Sequence, residues 1–127
     1  MTNERGESLN DLIKQNAVDI CNFLKDQKAY DIIAIDIADK SIIADYMIIC
    51  SGRSNIQIKS ISDDLEHFCN TNLNMDLRRI EGYPQGRWIV LDYADILVHI
   101  FHPEEREYYD VERLWKGEDN FFFADNK

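Results

Sequence analysis

Apolar residues first recur at helical spacing. Leu9, Leu12, Ile13, Ala17, Ile20, Cys21 and Leu24 line one face of a helix running to about Gln27. Ser8 is its N-cap, and Asp11 holds the capping-box position where Glu or Gln is commoner. The period then changes. Asp31-Ile-Ile-Ala-Ile-Asp36 and Tyr46-Met-Ile-Ile-Cys-Ser51 are apolar at successive positions, the mark of strands covered on both faces and therefore central in a sheet. Gly52 ends the second run, and Ser54 caps a helix over residues 55–70 with the stripe Ile58, Ile61, Leu65, Phe68 and Cys69. Residues 77–81 predict a third strand, and Gly82-Tyr-Pro-Gln-Gly86 is loop chemistry.

Trp88–Asp92 and Ile96–Phe101 form a hairpin around Tyr93-Ala94-Asp95. A three-residue connection sets Asp92 opposite Ile96, Val90 opposite Val98 and Ile89 opposite His99. Trp88, Val90, Val98 and Ile100 then share one face, and His99 joins Ile89 and Leu91 on the other. Pro103 opens a short helix, and a second helical stretch covers 111–115. From Lys116 the chain has no periodicity and carries Phe121-Phe-Phe123, a segment that either folds back on the domain or stays disordered. The order α-β-β-α-β-β-β-α describes a single α/β (α+β) domain, one mixed sheet with flanking helices. Its expected divisions are a flexible N-terminus (1–7), the domain (8–115) and a C-terminal tail (116–127).

A length of 127 residues gives one domain with an ordinary core. Fourteen Lys plus Arg against 24 Asp plus Glu leave a net charge of −10. Binding to bare nucleic acid depends on cations displacing counterions, so direct DNA binding is not expected; basic surfaces attract such a chain instead. Cys21, Cys50 and Cys69 are odd in number and embedded in apolar runs, as reduced core thiols are. The polar, mixed-charge N-terminus is no signal peptide, and no run approaches the roughly 20 apolar residues of a membrane span. The expectation is a cytoplasmic protein with no membrane association.

Catalytic chemistry is hard to assemble. No phosphate-binding glycine motif can be built from Gly6, Gly52, Gly82, Gly86 and Gly117. Ser51-Gly-Arg-Ser54 sits at a strand-to-helix junction that suits an anion, but nucleotidyl transfer also wants a carboxylate pair of the Asp-x-Asp kind. None occurs; Asp110-Val-Glu112 has the spacing, but on a helix positions i and i+2 diverge. His67, His99 and His102 show no metal-ligand spacing, and His99 reads as a hydrogen-bonded core residue. Asp36/Asp39 and Asp92/Asp95 bracket turns. Neither cofactor nor metal is expected.

Seven segments carry a family resemblance: Asp31–Asp36, Ala44-Asp-Tyr-Met-Ile-Ile-Cys-Ser-Gly52, Glu81-Gly82, Trp88–Asp92, Asp95–Phe101, Arg106 with Tyr109, and Leu114-Trp115. In this order and spacing they resemble the ribosomal silencing factor, or iojap-like, family over about Leu9 to Trp115. The resemblance implies a nucleotidyltransferase-like fold without its catalytic carboxylates, and a regulator rather than an enzyme. It implies binding to a basic ribosomal protein on the intersubunit face of the large ribosomal subunit and a steric block to small-subunit joining under nutrient limitation. Organelle relatives assist large-subunit assembly instead, and a divergent nucleotidyltransferase is the remaining alternative. A homodimer is compatible with the resemblance. Carried onto this chain, the partner-binding residues are Glu81, Trp88, Asp92, Tyr93 and Asp95. Asp45 and Tyr46 either join them or fix the sheet, while Arg106, Tyr109 and Trp115 hold the C-terminal helix.

Overall fold

The Ser8 hydroxyl accepts from the Asp11 N–H at 3.1 Å and starts α1 (Leu9–Asp26), whose buried stripe is Ile13, Ala17, Ile20, Cys21 and Leu24. In the computed structural model, which describes residues 8–115, 117 and 120–125, β1 (Tyr30–Asp36), β2 (Tyr46–Ser51) and α2 (Asn55–Asn72) follow. Then come β3 (Arg79–Glu81), β4 (Trp88–Asp92), β5 (Ile96–Phe101), α3 (Pro103–Tyr109), α4 (Glu112–Trp115) and β6 (Phe121–Asp125). The expected flexible segment, residues 1–7, lies outside the described residues, as do 116, 118, 119, 126 and 127 of the tail.

The six strands among the described residues form one mixed sheet in the order β3-β4-β5-β2-β1-β6. Only β2 and β5 run parallel, and every other neighbour pair is antiparallel. The unbroken apolar runs of β1 and β2 place them inside the sheet, as their pattern predicts. β1 is internal because the tail adds a strand beyond it: Phe121–Asp125 pairs with 32–35. Asn120 clasps this return, donating to the carbonyls of Asp36 (3.2 Å) and Trp115 (2.7 Å), while its own carbonyl accepts from the Asp36 N–H. Phe122 and Phe123 then pack on the main core, with Phe122 edge-on to Tyr46.

One face of the sheet is closed by α1 and α2 over Ile32, Ile48, Leu91 and Val98. The other carries Ile33, Ile35, Met47, Ile49 and Phe101, with Val111 and Trp115 packed on it. Arg106 ties the C-terminal helices to that layer. It donates to the Asp31 carbonyl (2.6 Å), the Ser51 hydroxyl (2.9 Å) and the Glu112 carboxylate (3.0 Å).

The hairpin register differs by one residue from the sequence reading. Tyr93 N–H donates to the Ile96 carbonyl at 3.0 Å, so Tyr93 belongs to the ladder and only Ala94 and Asp95 connect the strands. Asp92 therefore faces Leu97, Leu91 faces Val98, Val90 faces His99, Ile89 faces Ile100 and Trp88 faces Phe101. A slip of one residue exchanges faces. His99 sits beside Val90 on the layer of Trp88, not with Ile89 and Leu91, while Val98 and Ile100 turn to the helices. The cause is burial: Tyr93 is only 5 % exposed, and packing its ring against the helices draws it into the strand.

Gly82 follows β3 at φ +80°, and a β-carbon there would stand 2.0 Å from the Trp88 carbonyl oxygen. Gly82→Ala should cost at least about 2 kcal/mol, from a left-handed backbone plus an unyielding backbone contact. Urea unfolding measures it, and an unchanged midpoint would mean that β3 does not close on β4 this way.

Candidate docking surface

Alternation along β4 and β5 sends Trp88, Val90 and Asp92, with Leu97, His99 and Phe101, to the face away from α1 and α2. β3 adds Glu81 opposite Val90 and Arg79 opposite Asp92. Trp88, Val90, Asp92 and Leu97 are half-buried, and Glu81 and Arg79 are exposed. The result is an apolar strip with a charged border, on the sheet half away from β6. At its tip the Asp92 carboxylate accepts from the Ala94 N–H at 2.8 Å, which holds Ala94 at φ +72°. The Asp95 carbonyl accepts from the N–H groups of Asp45 and Tyr46, so the tip is tied to the start of β2. The loop ending at Asp45 also exposes Ile42 and Ile43.

Trp88 is held from three sides. Its ring stacks on Phe101 at 4.8 Å and meets Tyr109 of α3 at 4.9 Å, and its indole Nε1–H donates to His99 Nδ1 at 3.0 Å. An indole nitrogen only donates, so Nδ1 is the unprotonated nitrogen of His99 and the hydrogen is on Nε2. Nε2 is buried and has no hydrogen-bond partner among the described residues. Burial pushes the imidazole pKa down to about 4, which keeps His99 neutral at ordinary pH. Just before Trp88, Arg87 makes a two-pronged bond to Glu105 (2.6 and 2.7 Å) and a third to Glu104 (3.1 Å), bracing β4 against α3. The guanidinium's hydrogen bonds hold the Glu105 carboxyl below its usual range.

Of the five residues expected at a partner surface, Trp88, Asp92 and Glu81 share this face, and Asp95 is exposed at the hairpin tip. Tyr93 does not: it is buried in the helix-side core, where burial pushes its phenol pKa well up. Tyr46 points to the same core and fixes the sheet. Leu97 lies on this face and His99 is buried beneath it; the register hides both, since only the length of the connection could reveal them. Arg106, Tyr109 and Trp115 hold the C-terminal helices as the sequence suggests.

The remaining candidates for chemistry resolve into structural roles. Ser54 caps α2 by accepting from the Gln57 N–H, and Arg53 N–H donates to the Gln57 side chain. Asp110 and Glu112 do not share a helix: Asp110 is the left-handed cap of α3, and Glu112 opens α4 bound to Arg106. Among the described residues, no group of three or more His, Cys, Asp or Glu is arranged to hold a metal. The cysteines are free and buried, and desolvation raises all three thiols, Cys69 to about 11 and Cys50 to about 12. No helix among the described residues is long and apolar enough to cross a membrane.

Comparison with known proteins gives a consistent result. The family model described as ribosomal silencing factor during starvation matches residues 10–126. The ribosomal silencing factor of Halalkalibacterium halodurans is 38% identical over 94 residues, covering 74% of this chain and 80% of its own. A crystal structure of a Chromobacterium violaceum protein superposes with a TM-score of 0.79 at 31% identity, covering 84% of this chain and 88% of that one. The mouse protein named mitochondrial assembly of ribosomal large subunit protein 1 is 28% identical over 101 residues, 76% of this chain and 43% of its own.

The depressed His99 pKa has a consequence for stability. The unfolded chain binds a proton here near pH 6.5, the folded chain only near pH 4, so this stability is complete above 6.5 and is lost as the pH falls toward 4. Between pH 7 and 4 the native protein should lose about 2–3 kcal/mol more than His99→Asn, by urea unfolding at each pH. Parallel profiles for the two proteins would show that His99 titrates normally.

Proposed function

The chain belongs to the ribosomal silencing factor family, and from that premise we propose that it is a cytoplasmic translational repressor. It binds a basic ribosomal protein on the intersubunit face of the large ribosomal subunit and, by its bulk, keeps the small subunit from joining when nutrients are scarce. The observation that carries this reading is the half-buried Trp88 strip, bordered by Glu81, Asp92 and Asp95 on a chain of net charge −10. Tryptophan is enriched among interface anchors, where a few residues carry most of the affinity. Arg79 lies 3.9 Å from the Asp92 carboxylate and offsets it, so the steering toward cationic protein and away from surrounding phosphates falls to Glu81, Asp95 and the net charge. Such a block requires occupancy rather than turnover, so no cofactor enters it.

Assembly of the large subunit is a second reading, favoured by the name of the mouse relative. It would use the same surface and differ in when that surface is engaged. Subunit profiles of cells lacking the protein separate the two. Incomplete large subunits in growing cells support assembly, and excess joined ribosomes in starved cells support repression.

Trp88→Ala should weaken binding to purified large subunits by about 2–4 kcal/mol, roughly a thirty- to thousand-fold rise in Kd, with the fold intact. Glu81→Lys with Asp95→Lys should slow association by about tenfold at low salt and much less at high salt. Co-sedimentation and stopped-flow mixing read these outcomes. Full binding by a folded Trp88→Ala protein would move the docking surface elsewhere, and no binding of the native chain would end the repressor reading.

A further inference from the structure

Beneath the docking strip lies a side chain that core packing alone does not explain. His99 is 7 % exposed, flanked in the ladder by Val90 and Ile49, with Trp88 and Phe101 as ring neighbours. One ring nitrogen, Nδ1, accepts the indole N–H of Trp88 at 3.0 Å; the other, Nε2, is buried with no hydrogen-bond partner among the described residues. A buried donor left unpaired opposes folding, and a leucine would fill similar space without it. What histidine supplies and leucine does not is an acceptor for the indole.

We propose that His99 is a positioning residue for docking: its Nδ1 fixes the rotamer of Trp88 and so presents the indole to the partner in one orientation. The inference rests on the docking reading above and deepens it. Phe101 and Tyr109 are ring neighbours of Trp88, but ring contacts tolerate sliding and tilting. The hydrogen bond adds a direction, because it is satisfied only when the five-membered edge of the indole points to His99. The geometry also keeps the indole N–H from being stranded on an apolar surface when the partner excludes water. Burial favours the neutral imidazole, the form in which Nδ1 can accept.

The test compares native protein, His99→Leu, His99→Asn and Trp88→Ala for binding to purified large ribosomal subunits, with unfolding midpoints and the indole N–H resonance of Trp88 as independent readouts. His99→Leu should fold with an equal or higher midpoint, shift the indole resonance upfield, and bind about tenfold more weakly. His99→Asn, whose side-chain oxygen restores an acceptor near the same place, should return the resonance downfield and bind within about threefold of native. A merely structural histidine would show the opposite coupling, with binding following the midpoint. Should His99→Leu fold poorly, His99→Phe, which keeps a ring and lacks the acceptor, takes its place with the same expected loss. Native binding by the acceptor-less variant, with Trp88→Ala weakened, overturns this inference alone. So does a His99→Asn protein that folds yet binds no better than His99→Leu. Native binding by Trp88→Ala overturns the docking surface and this inference together.

Discussion

A single backbone bond, Tyr93 N–H to the Ile96 carbonyl, decides what the sheet presents to solvent. β4 and β5 are apolar at nearly every position, so either register would bury a hydrophobic set, and pattern alone selects weakly between them. Selection comes from the ends of the hairpin. Tyr93 gains by burial among the helices, Asp92 caps the N–H of a left-handed Ala94, and Asp95 accepts from the first amides at β2. That last contact couples the turn to the parallel pairing of β2 and β5, which begins at Tyr46 and Ile96. The turn and the crossover thus constrain each other, and moving one by a residue would break the other.

The two layers have different fates because their covers differ. Two 18-residue helices close one face. On the other, the helices among the described residues are α3 and α4, seven and four residues long, too short to be stable alone and dependent on anchoring. Arg106 provides that anchoring from a mostly buried position, joining the entry of β1, the end of β2 and the start of α4. Removing its side chain would strand Glu112 and release both helices from the sheet. These short covers leave the strip on β4 and β5 partly open, as the proposed docking requires.

Periodicity made α1, α2 and the two central strands legible, because each buries a stripe or a whole run that local spacing expresses. β6 was not legible. Phe121-Phe-Phe-Ala-Asp has no alternation, and it becomes a strand through tertiary pairing with β1 and through the Asn120 clasp, both distant in sequence. The site was half legible for a related reason. Trp88 and Asp92 share a face through parity within one strand, whatever the partner register, so the sequence could place them together. The resemblance groups Tyr93 with them, but it has the opposite parity, and its bond to Ile96 continues the ladder by one residue, so its ring faces the helices. His99 and Leu97 depend on pairing between strands, which spacing does not encode.

An acidic chain that docks through a small apolar strip has little area over which to spread its affinity, so the quality of its anchor matters more than the number of its contacts. A free tryptophan side chain on a flat sheet would lose rotational freedom on binding, and that loss would be subtracted from every contact it makes. Here the indole is already fixed by Phe101, Tyr109 and His99, and its one polar atom already has a partner. Binding then leaves little further ordering of the anchor, and no indole N–H to desolvate. The Nε2 of His99, buried and without a hydrogen-bond partner among the described residues, is the cost of this arrangement, and it falls on folding stability rather than on docking. In the proposed steric block that division is an advantage, since folding is completed once while docking would recur with every subunit the molecule meets.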